Sequence, residues 1–416
     1  MLVKTILNKV YPLKSFVYKD CRFSDSEEGL ELEIAIKPRK NGKKLCGKCQ
    51  QECPGYDTQE SRRFQFIYLW AIAVFFVYAP RRVACPKCGV VVEHMPWANG
   101  KSSLTIPLQL FLAHWAKKFS WVEVSNEFGV SWHQVYESVR FVVSYGLKNR
   151  VLEGIRAIGI DEIMVRMGQY VTLVYQIDKD CRRLLWIGKG HSAKTLLRFF
   201  VWFKKDRYQK IEFVCSDMWK AYRKVIKKKI PQALHILDRF HIVANLNKAL
   251  NLVRIEEARR LKAEDCEEVL KGSRWCFLKK PQNLTKKQKY KLQELLKYNL
   301  KTVRAYLLKE DFSQFWKYKD AKWAGKFLDA WCTRVMRSKI EPLKKQAKTL
   351  RKHRELILNW FIAKKEFNSG IVEGFNCNAK LAIRKARGFR TDEALEMALF
   401  HQMGKLPEPD LAYQLW

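Results

Sequence analysis

Ile158-Gly159-Ile160-Asp161-Glu162 opens the stretch, residues 156–238, that decides the fold. Three apolar runs follow one another there, Ile158 to Glu162, Tyr170 to Ile177 and Arg183 to Ile187, each bounded by Gly, Asp or Lys, and they read as consecutive strands. A helix over Ala193 to Phe203 leads to a fourth strand, Ile211 to Ser216, ending at Asp217. A basic helix, Lys220 to Lys229, leads to a fifth, Ala233 to Leu237, ending at Asp238. The order βββαβαβ predicts a mixed α/β sheet. Such a sheet brings Asp161 and Asp217 together if the first and fourth strands are neighbours; local structure cannot do so at that sequence distance. Adjacent aspartates repel, and a bound divalent cation relieves the cost.

Outward from this stretch, composition sets the partner. The chain has 416 residues, with 79 Lys and Arg against 42 Asp and Glu, a formal net charge of +37 and a pI near 9.8. Because 48% of residues are hydrophobic and 13% aromatic, a disordered basic tail is excluded. A folded body so charged repels itself unless it meets a polyanion, which argues against an enzyme of small neutral substrates and for nucleic acid. A membrane is the weaker partner, since the strongest apolar run, Ile67 to Ala79, falls short of the ~20 residues a spanning helix needs and reads as buried strand. Lys4, Asn8 and Lys9 break the N-terminus before a signal core develops, so a cytoplasmic protein with reduced thiols is expected.

Among the 12 cysteines, Cys46-Gly-Lys-Cys49 and Cys85-Pro-Lys-Cys88 each set two thiolates across a tight turn, and together they complete a four-thiolate site for a structural Zn2+. The apolar strands from Phe64 to Tyr78 must then form a hairpin or layer between the two knuckles, and Cys53 and His94 are near enough to substitute as ligands. From Thr105 the pattern turns helical. Ser120-Trp-Val-Glu123 and Ser131-Trp-His-Gln134 both have the capping-box form, with Gly129 between them for a tight turn. A short helix, a turn at Phe128 to Val130 and a longer helix make a helix-turn-helix whose second helix would present His133, Gln134, Glu137 and Arg140 to a groove. An ordinary helical hairpin has the same spacing; the basic composition and the neighbouring zinc module favour DNA.

Asn245 to Lys365 is rich in Lys, Arg, Leu and Trp and reads as several long helices, with basic runs such as Lys344 to Arg354 able to follow a DNA backbone. Its tryptophans, Trp275 and Trp316 among them, read as core before they read as base-stacking platforms. Beyond it, a helix over Gly370 to Arg387 would put Glu373, Asn376, Lys380, Arg384 and Arg387 on one face and Ile371, Phe375, Ala379, Ala382 and Ala386 on the other, with Gly388 as the terminating C′ residue.

These residues together resemble a family. Asp161 in GIDE, Asp217 in CSDMWKAY, Asp238-Arg-Phe-His241 leading into a helix with Asn245 and Asn247, and Asn368-Ser-Gly-Ile-Val-Glu373-Gly-Phe-Asn376 look like the bacterial insertion-sequence transposases of the ISL-three type, over nearly the whole chain. The resemblance implies an α/β ribonuclease-H-like mixed sheet interrupted by an all-helical insertion, preceded by a zinc-binding module and a helix-turn-helix. The implied domains are a zinc module over 1–100, the helix-turn-helix over 101–150, catalytic pieces over 151–248 and 367–416, and the helical insertion over 249–366. It places the acidic triad on Asp161, Asp217 and Glu373, with Asp238 the rival for the second ligand. Carboxylates are what hard Mg2+ (or Mn2+) prefers; Asp161 would bridge two ions, Asp217 hold one and Glu373 the other. The function implied is a DNA transposase, bound to terminal inverted repeats and target DNA as a homo-oligomer and associated with the nucleoid, with Lys380, Arg384 and Arg387 contacting phosphates beside His133, Gln134 and Arg140. A DNA-binding regulator with an idle triad, or a nuclease on the same sheet, are the competing readings.

Overall fold

The computed structural model describes residues 3–27, 29–264, 269–367 and 370–411, so Asn368 and Ser369 of the distal motif lie outside the described residues. The chain divides into two units, Met1–Arg150 with Ala382–Trp416, and Val151–Leu381. The C-terminal stretch 367–416 is therefore shared between them, the division falling at Leu381.

The first unit opens with α1 (Val3–Val10), β1 (Phe16–Ser26), β2 (Gly29–Pro38), β3 (Gly55–Thr58), β4 (Arg62–Leu69), β5 (Ile72–Tyr78), β6 (Arg81–Cys85) and β7 (Gly89–Val92). One sheet has the order β1-β2-β5-β4 and a smaller one the order β3-β6-β7. Alternation builds the larger sheet: Leu32, Ile34 and Ile36 on β2 and Val74, Phe76 and Tyr78 on β5 are buried, and their neighbours face outward. Trp97, fully buried, meets Phe16 edge-on with centroids 4.9 Å apart and Tyr78 at 5.3 Å. The expected hairpin between the cysteine pairs is β4–β5, closed by Trp70 and Ala71, both at positive φ. Next come α2 (Ile106–Lys118), α3 (Trp121–Glu127) and α4 (Trp132–Asn149). Both expected capping boxes are formed, Ser120 with Glu123 and Ser131 with Gln134, and Gly129 between them takes φ +53°.

The second unit carries β8 (Ala157–Arg166), β9 (Gln169–Ile177), β10 (Arg182–Lys189), α5 (Ala193–Phe203), α6 (Lys205–Tyr208), β11 (Phe213–Ser216), α7 (Lys220–Lys229) and β12 (Leu234–Leu237). Each strand and both long helices of the 156–238 stretch fall at the places the sequence predicts, but β8 runs on to Arg166, so Asp161 lies within it and not at its end. The sheet order is β10-β9-β8-β11-β12; β8, β9 and β10 are antiparallel, and β11 lies parallel to both β8 and β12. Ile158, Ile160, Val214, Phe199, Phe200 and Tyr222 form a buried cluster that packs α5 and α7 onto one face.

The helical stretch comprises α8 (Arg239–Ala263), α9 (Arg274–Leu278), α10 (Lys286–Leu296), α11 (Lys301–Phe312), α12 (Ala321–Arg337), α13 (Glu341–Lys352) and α14 (Arg354–Ile362). Buried rings hold it together: Phe312 meets Trp331 at 4.8 Å and Trp316 meets Trp360 at 5.3 Å. Glu257, 4% exposed on α8, accepts from the backbone N–H groups of Lys301 (2.8 Å) and Thr302 (2.7 Å), setting a carboxylate on the positive end of α11. Trp316 is core as expected, whereas Trp275 is 51% exposed. Then follow α15 (Gly370–Lys385) and α16 (Asp392–Met403). Among the described residues, no helix is long and apolar enough to cross a membrane.

Candidate active site and metal centre

The four expected zinc ligands converge. One sulfur each from Cys46, Cys49, Cys85 and Cys88 lies within 4.8 Å of the others, and among the described residues this is the group of three or more His, Cys, Asp or Glu so drawn together. The first knuckle is shaped by backbone contacts: Cys46 N–H donates to Gln51 O (2.8 Å) and Gly47 N–H to Val92 O of β7 (3.1 Å). A Cβ on Gly47 would stand 2.5 Å from that carbonyl, which is why glycine occupies the turn. Lys48 N–H points at Cys46 Sγ (3.4 Å), an arrangement suited to a thiolate. Four sulfurs with no water or carboxylate among them are a donor set that fits Zn2+ and leaves no open position. Cys53 is buried beside them, its thiol donating to Gln51 O at 3.3 Å, and neither it nor His94 belongs to the group.

A second cluster sits where β11 and β12 end beside the middle of β8. β11 pairs with β8 through Cys215↔Gly159, and continuing that register by two residues sets Asp217 level with Asp161. β11 pairs with β12 through Ser216↔Leu237, so one further residue brings Asp238 to the same level, and its N–H donates to Ser216 O at 2.9 Å. Asp217 and Asp238 follow directly on β11 and β12, His241 stands against both Asp161 and Asp238, and Asp217 feels the Asp161 charge, so the three aspartates gather in one place.

The electrostatics follow from crowding. Burial, with the nearby Asp217 and Asp161 carboxylates, pushes Glu162 up to about 7, and Glu162 Oε2 is buried without a hydrogen-bond partner. Burial likewise raises Asp217 above the usual carboxylate range. On α8, His241 Nε2 stands 4.0 Å from Asp161 Oδ1 and 3.8 Å from Asp238 Oδ2. Its interaction with Asp161 foremost raises it to about 9, so an imidazolium offsets part of the negative charge. The acidic groups are partly committed already. Asp161 Oδ1 accepts from Glu162 N–H (2.9 Å), Asp217 Oδ1 from Trp219 N–H (2.9 Å), and Asp238 Oδ1 from Phe240 N–H (2.6 Å), the last as the N-cap of α8. A mutually repelling carboxylate group with an orphaned buried oxygen fits a divalent cation, and Asp161, Asp217 and Glu162 are the carboxylates that act on one another here.

The helix α15 crosses the same region. Val372, buried, lies against Gly159; Phe375 stacks on Tyr175 with centroids 4.7 Å apart; Asn376, 7% exposed, donates from Nδ2 to Asp161 Oδ2. Glu373, one turn before Asn376, is exposed; among the described residues neither it nor the aspartates form a metal-sized group as close as the four cysteines. The sequence reading placed Asn376 on the outer face with Lys380 and Arg384. The buried stripe is instead Val372, Asn376 and Ala379, because two buried partners satisfy the amide, a circumstance that periodicity alone does not reveal. The helix also ends earlier than expected, at Lys385. Gly388 N–H bonds Ile383 O (3.2 Å) and Arg387 N–H bonds Arg384 O (3.0 Å), a Schellman pair in which Arg387, at φ +52°, is the C′ residue and Gly388, at φ +99°, follows it.

The residues expected to meet a groove are on α4. His133 is exposed; Arg140 is exposed and donates to Glu137 Oε2 (2.5 Å). Gln134 is engaged within its own unit, accepting from Ser131 N–H at 2.7 Å and donating to Ser103 Oγ at 3.3 Å. All three line a polar cleft of about 850 Å³ with Lys101, Ser144 and Glu393. Lys380, Arg384 and Arg387 are exposed.

A protein-family profile described as a transposase, the ISL3 type, matches residues 158–399. The chain is 28% identical over 371 residues to the transposase for insertion sequence element IS1001 of Bordetella parapertussis, covering 88% of this chain and 90% of that one. It is also 28% identical over 410 residues to the transposase for insertion sequence element IS1557 of Mycobacterium tuberculosis, covering 92% and 91%.

Proposed function

The chain belongs to the ISL3 family of transposases, and from that footing we propose that it binds the terminal inverted repeats of an insertion sequence and cuts and joins DNA strands at Asp161, Asp217 and Glu373. The observation that carries this reading is the shared level of Asp161 and Asp217 across β8 and β11, beneath the helix that bears Glu373. The sheet order, three antiparallel strands followed by two parallel ones, supports a ribonuclease-H-like catalytic domain.

In the mechanism, Asp161 and Asp217 hold the acidic edge, and Glu373 completes it from α15. Mg2+ or Mn2+ held there would supply activation of water or a 3′-hydroxyl and stabilisation of the departing oxygen. His241 keeps a positive charge beside Asp161 and Asp238, which lowers the repulsion that the phosphodiester meets on approach. Lys380 and Arg384, exposed one and two turns beyond Asn376, are suited to the flanking phosphates. The exposed α4 side chains His133 and Arg140, and Arg387, are assigned to DNA in the other unit, with Gln134 able to reach a base only by leaving Ser103. Cys46, Cys49, Cys85 and Cys88 hold a structural Zn2+. Target DNA is the second substrate, and pairing of two element ends calls for a homo-oligomer.

The test is nicking and strand transfer with Mg2+ on duplexes carrying the ends that flank the gene. Asp217→Asn should keep binding and lose both steps; equal nicking by this variant rejects the assignment. Asp238→Asn, which preserves an N-cap, should retain most activity, and its loss instead would make Asp238 the second ligand. Cleavage without joining by the wild type would favour a nuclease, and binding without cleavage a regulator.

A further inference from the structure

Asn376 is a buried polar residue whose amide is used at both ends. Nδ2 donates to Asp161 Oδ2 at 2.5 Å, and Oδ1 accepts from Tyr175 Oη at 2.9 Å. Tyr175 is fully buried on β9, paired with Gly159 of β8, and its ring lies against Phe375 of α15. Burial foremost keeps the phenol protonated, so its hydroxyl is able to donate to the amide oxygen. Asp161 decides which way the amide faces: a carboxylate only accepts, so the NH2 end meets it and Oδ1 is left turned to Tyr175. The reverse orientation would set an amide oxygen against a carboxylate oxygen, two acceptors with no hydrogen between them.

The consequence lies at Asp161. Its Oδ1 is held by Glu162 N–H (2.9 Å) and its Oδ2 by Asn376, so both oxygens are pinned by one donor each and the carboxylate has a fixed rotamer. An apolar residue of the same size would fill the space equally well but would leave Oδ2 unheld. We infer that Asn376 is a positioning residue for Asp161: relayed from Tyr175, its amide orients the carboxylate for a divalent cation and ties the helix of Glu373 to the same oxygen. This rests on the reading of Asp161 as a metal ligand. Groups that orient ligands in this way commonly change metal affinity 10- to 100-fold when removed.

The experiment titrates Mn2+ into the zinc-loaded full chain and follows the free ion by electron paramagnetic resonance, with thermal melting alongside. Asn376→Ala should weaken Mn2+ binding roughly tenfold while melting as a folded protein, and excess Mn2+ should restore its nicking. Tyr175→Phe, which keeps the ring on Phe375, should weaken binding by a smaller factor. Wild-type Mn2+ affinity in Asn376→Ala, or a loss there with none in Tyr175→Phe, overturns the inference. If Asn376→Ala fails to fold, Tyr175→Phe alone decides it. Asp161→Asn separates the two levels: if it binds Mn2+ like the wild type, the active-site reading falls, whereas failure confined to Asn376 and Tyr175 leaves that reading in place.

Discussion

Gly159 and Val372 touch where the sheet has no room for a side chain. A Cβ on the glycine would stand 2.5 Å from Val372 Cγ2 and 3.3 Å from Ile177 Cγ2, so the absence of a side chain at Gly159 lets α15 come down onto β8 two residues before Asp161. Gly159→Ala should therefore lift the helix, costing about 1–3 kcal/mol by overpacking and lowering nicking more than binding. Val372→Ala in the same chain should recover part of both. Urea unfolding and a nicking assay on the single and double variants check this; a Gly159→Ala protein with wild-type stability and activity would contradict the close approach.

Replacing Cys46 and Cys49 by Ser should release zinc from the chain, measured by elemental analysis, and weaken binding to the element ends. Cys53→Ser should leave the zinc content unchanged, since its thiol is outside the converging group. Zinc retained in the double variant would mean that other residues hold it.

Two buried histidines each contribute a pH dependence of definite sign, opposite to that of Glu162 and His241, and the difference in slope between the wild type and a histidine variant isolates it. Burial holds His401 down to about 3, with Lys117 and His114 adding, and Nε2 there is buried without a hydrogen-bond partner. Burial, with Arg223 adding, holds His235 down to about 4. Both folded values lie below the unfolded one, so the unfolded chain takes up protons first as pH falls. Their contribution to stability is complete above about 6.5 and is lost as pH drops from there toward 4 and 3. Between pH 7 and pH 5 the loss should be on the order of 2 kcal/mol for each. Urea midpoints at the two pH values measure it, and His401→Leu should remove its share; an unaltered pH slope would show that the side chain is not held neutral.

Arg387 occupies a left-handed position that glycine tolerates better, at a cost of roughly 1 kcal/mol. Arg387→Gly should raise the melting temperature of the chain while weakening DNA binding and flattening its salt dependence. Higher stability with undiminished binding would free Arg387 of the DNA role proposed for it.

The strands, helices and caps of residues 105–238 were legible because each depends on neighbours in sequence: short apolar runs bounded by Gly, Asp or Lys for the strands, and a hydroxyl three residues before Glu123 or Gln134 for the caps. The two cysteine pairs were legible for the same reason. Asn376 was not, since polarity alone assigns an asparagine to the outside, and the partners that draw it inward, Tyr175 and Asp161, are roughly 200 residues away in the chain. The exposed Trp275 and the left-handed Arg387 were missed likewise, one because aromatic content implies core, the other because glycine follows directly and is the usual terminator. His241 was quoted only as part of a motif; its place between Asp161 and Asp238 depends on strand order, which the sequence leaves conditional. The return of residues 382–411 to the N-terminal unit has no local signature at all.

The threading of β4 and β5 between the two cysteine pairs has a consequence for how the first unit assembles. A zinc ion gripping Cys49 and Cys85 would act as a clasp around the aromatic hairpin, denying the unfolded chain the freedom of a long loop, an effect of about 4 kcal/mol if it behaves as a covalent cross-link of that span does. Loss of the ion should thus be felt at Trp97, which packs in the core of the larger sheet and not with the thiols, and its fluorescence would report a distant chelation.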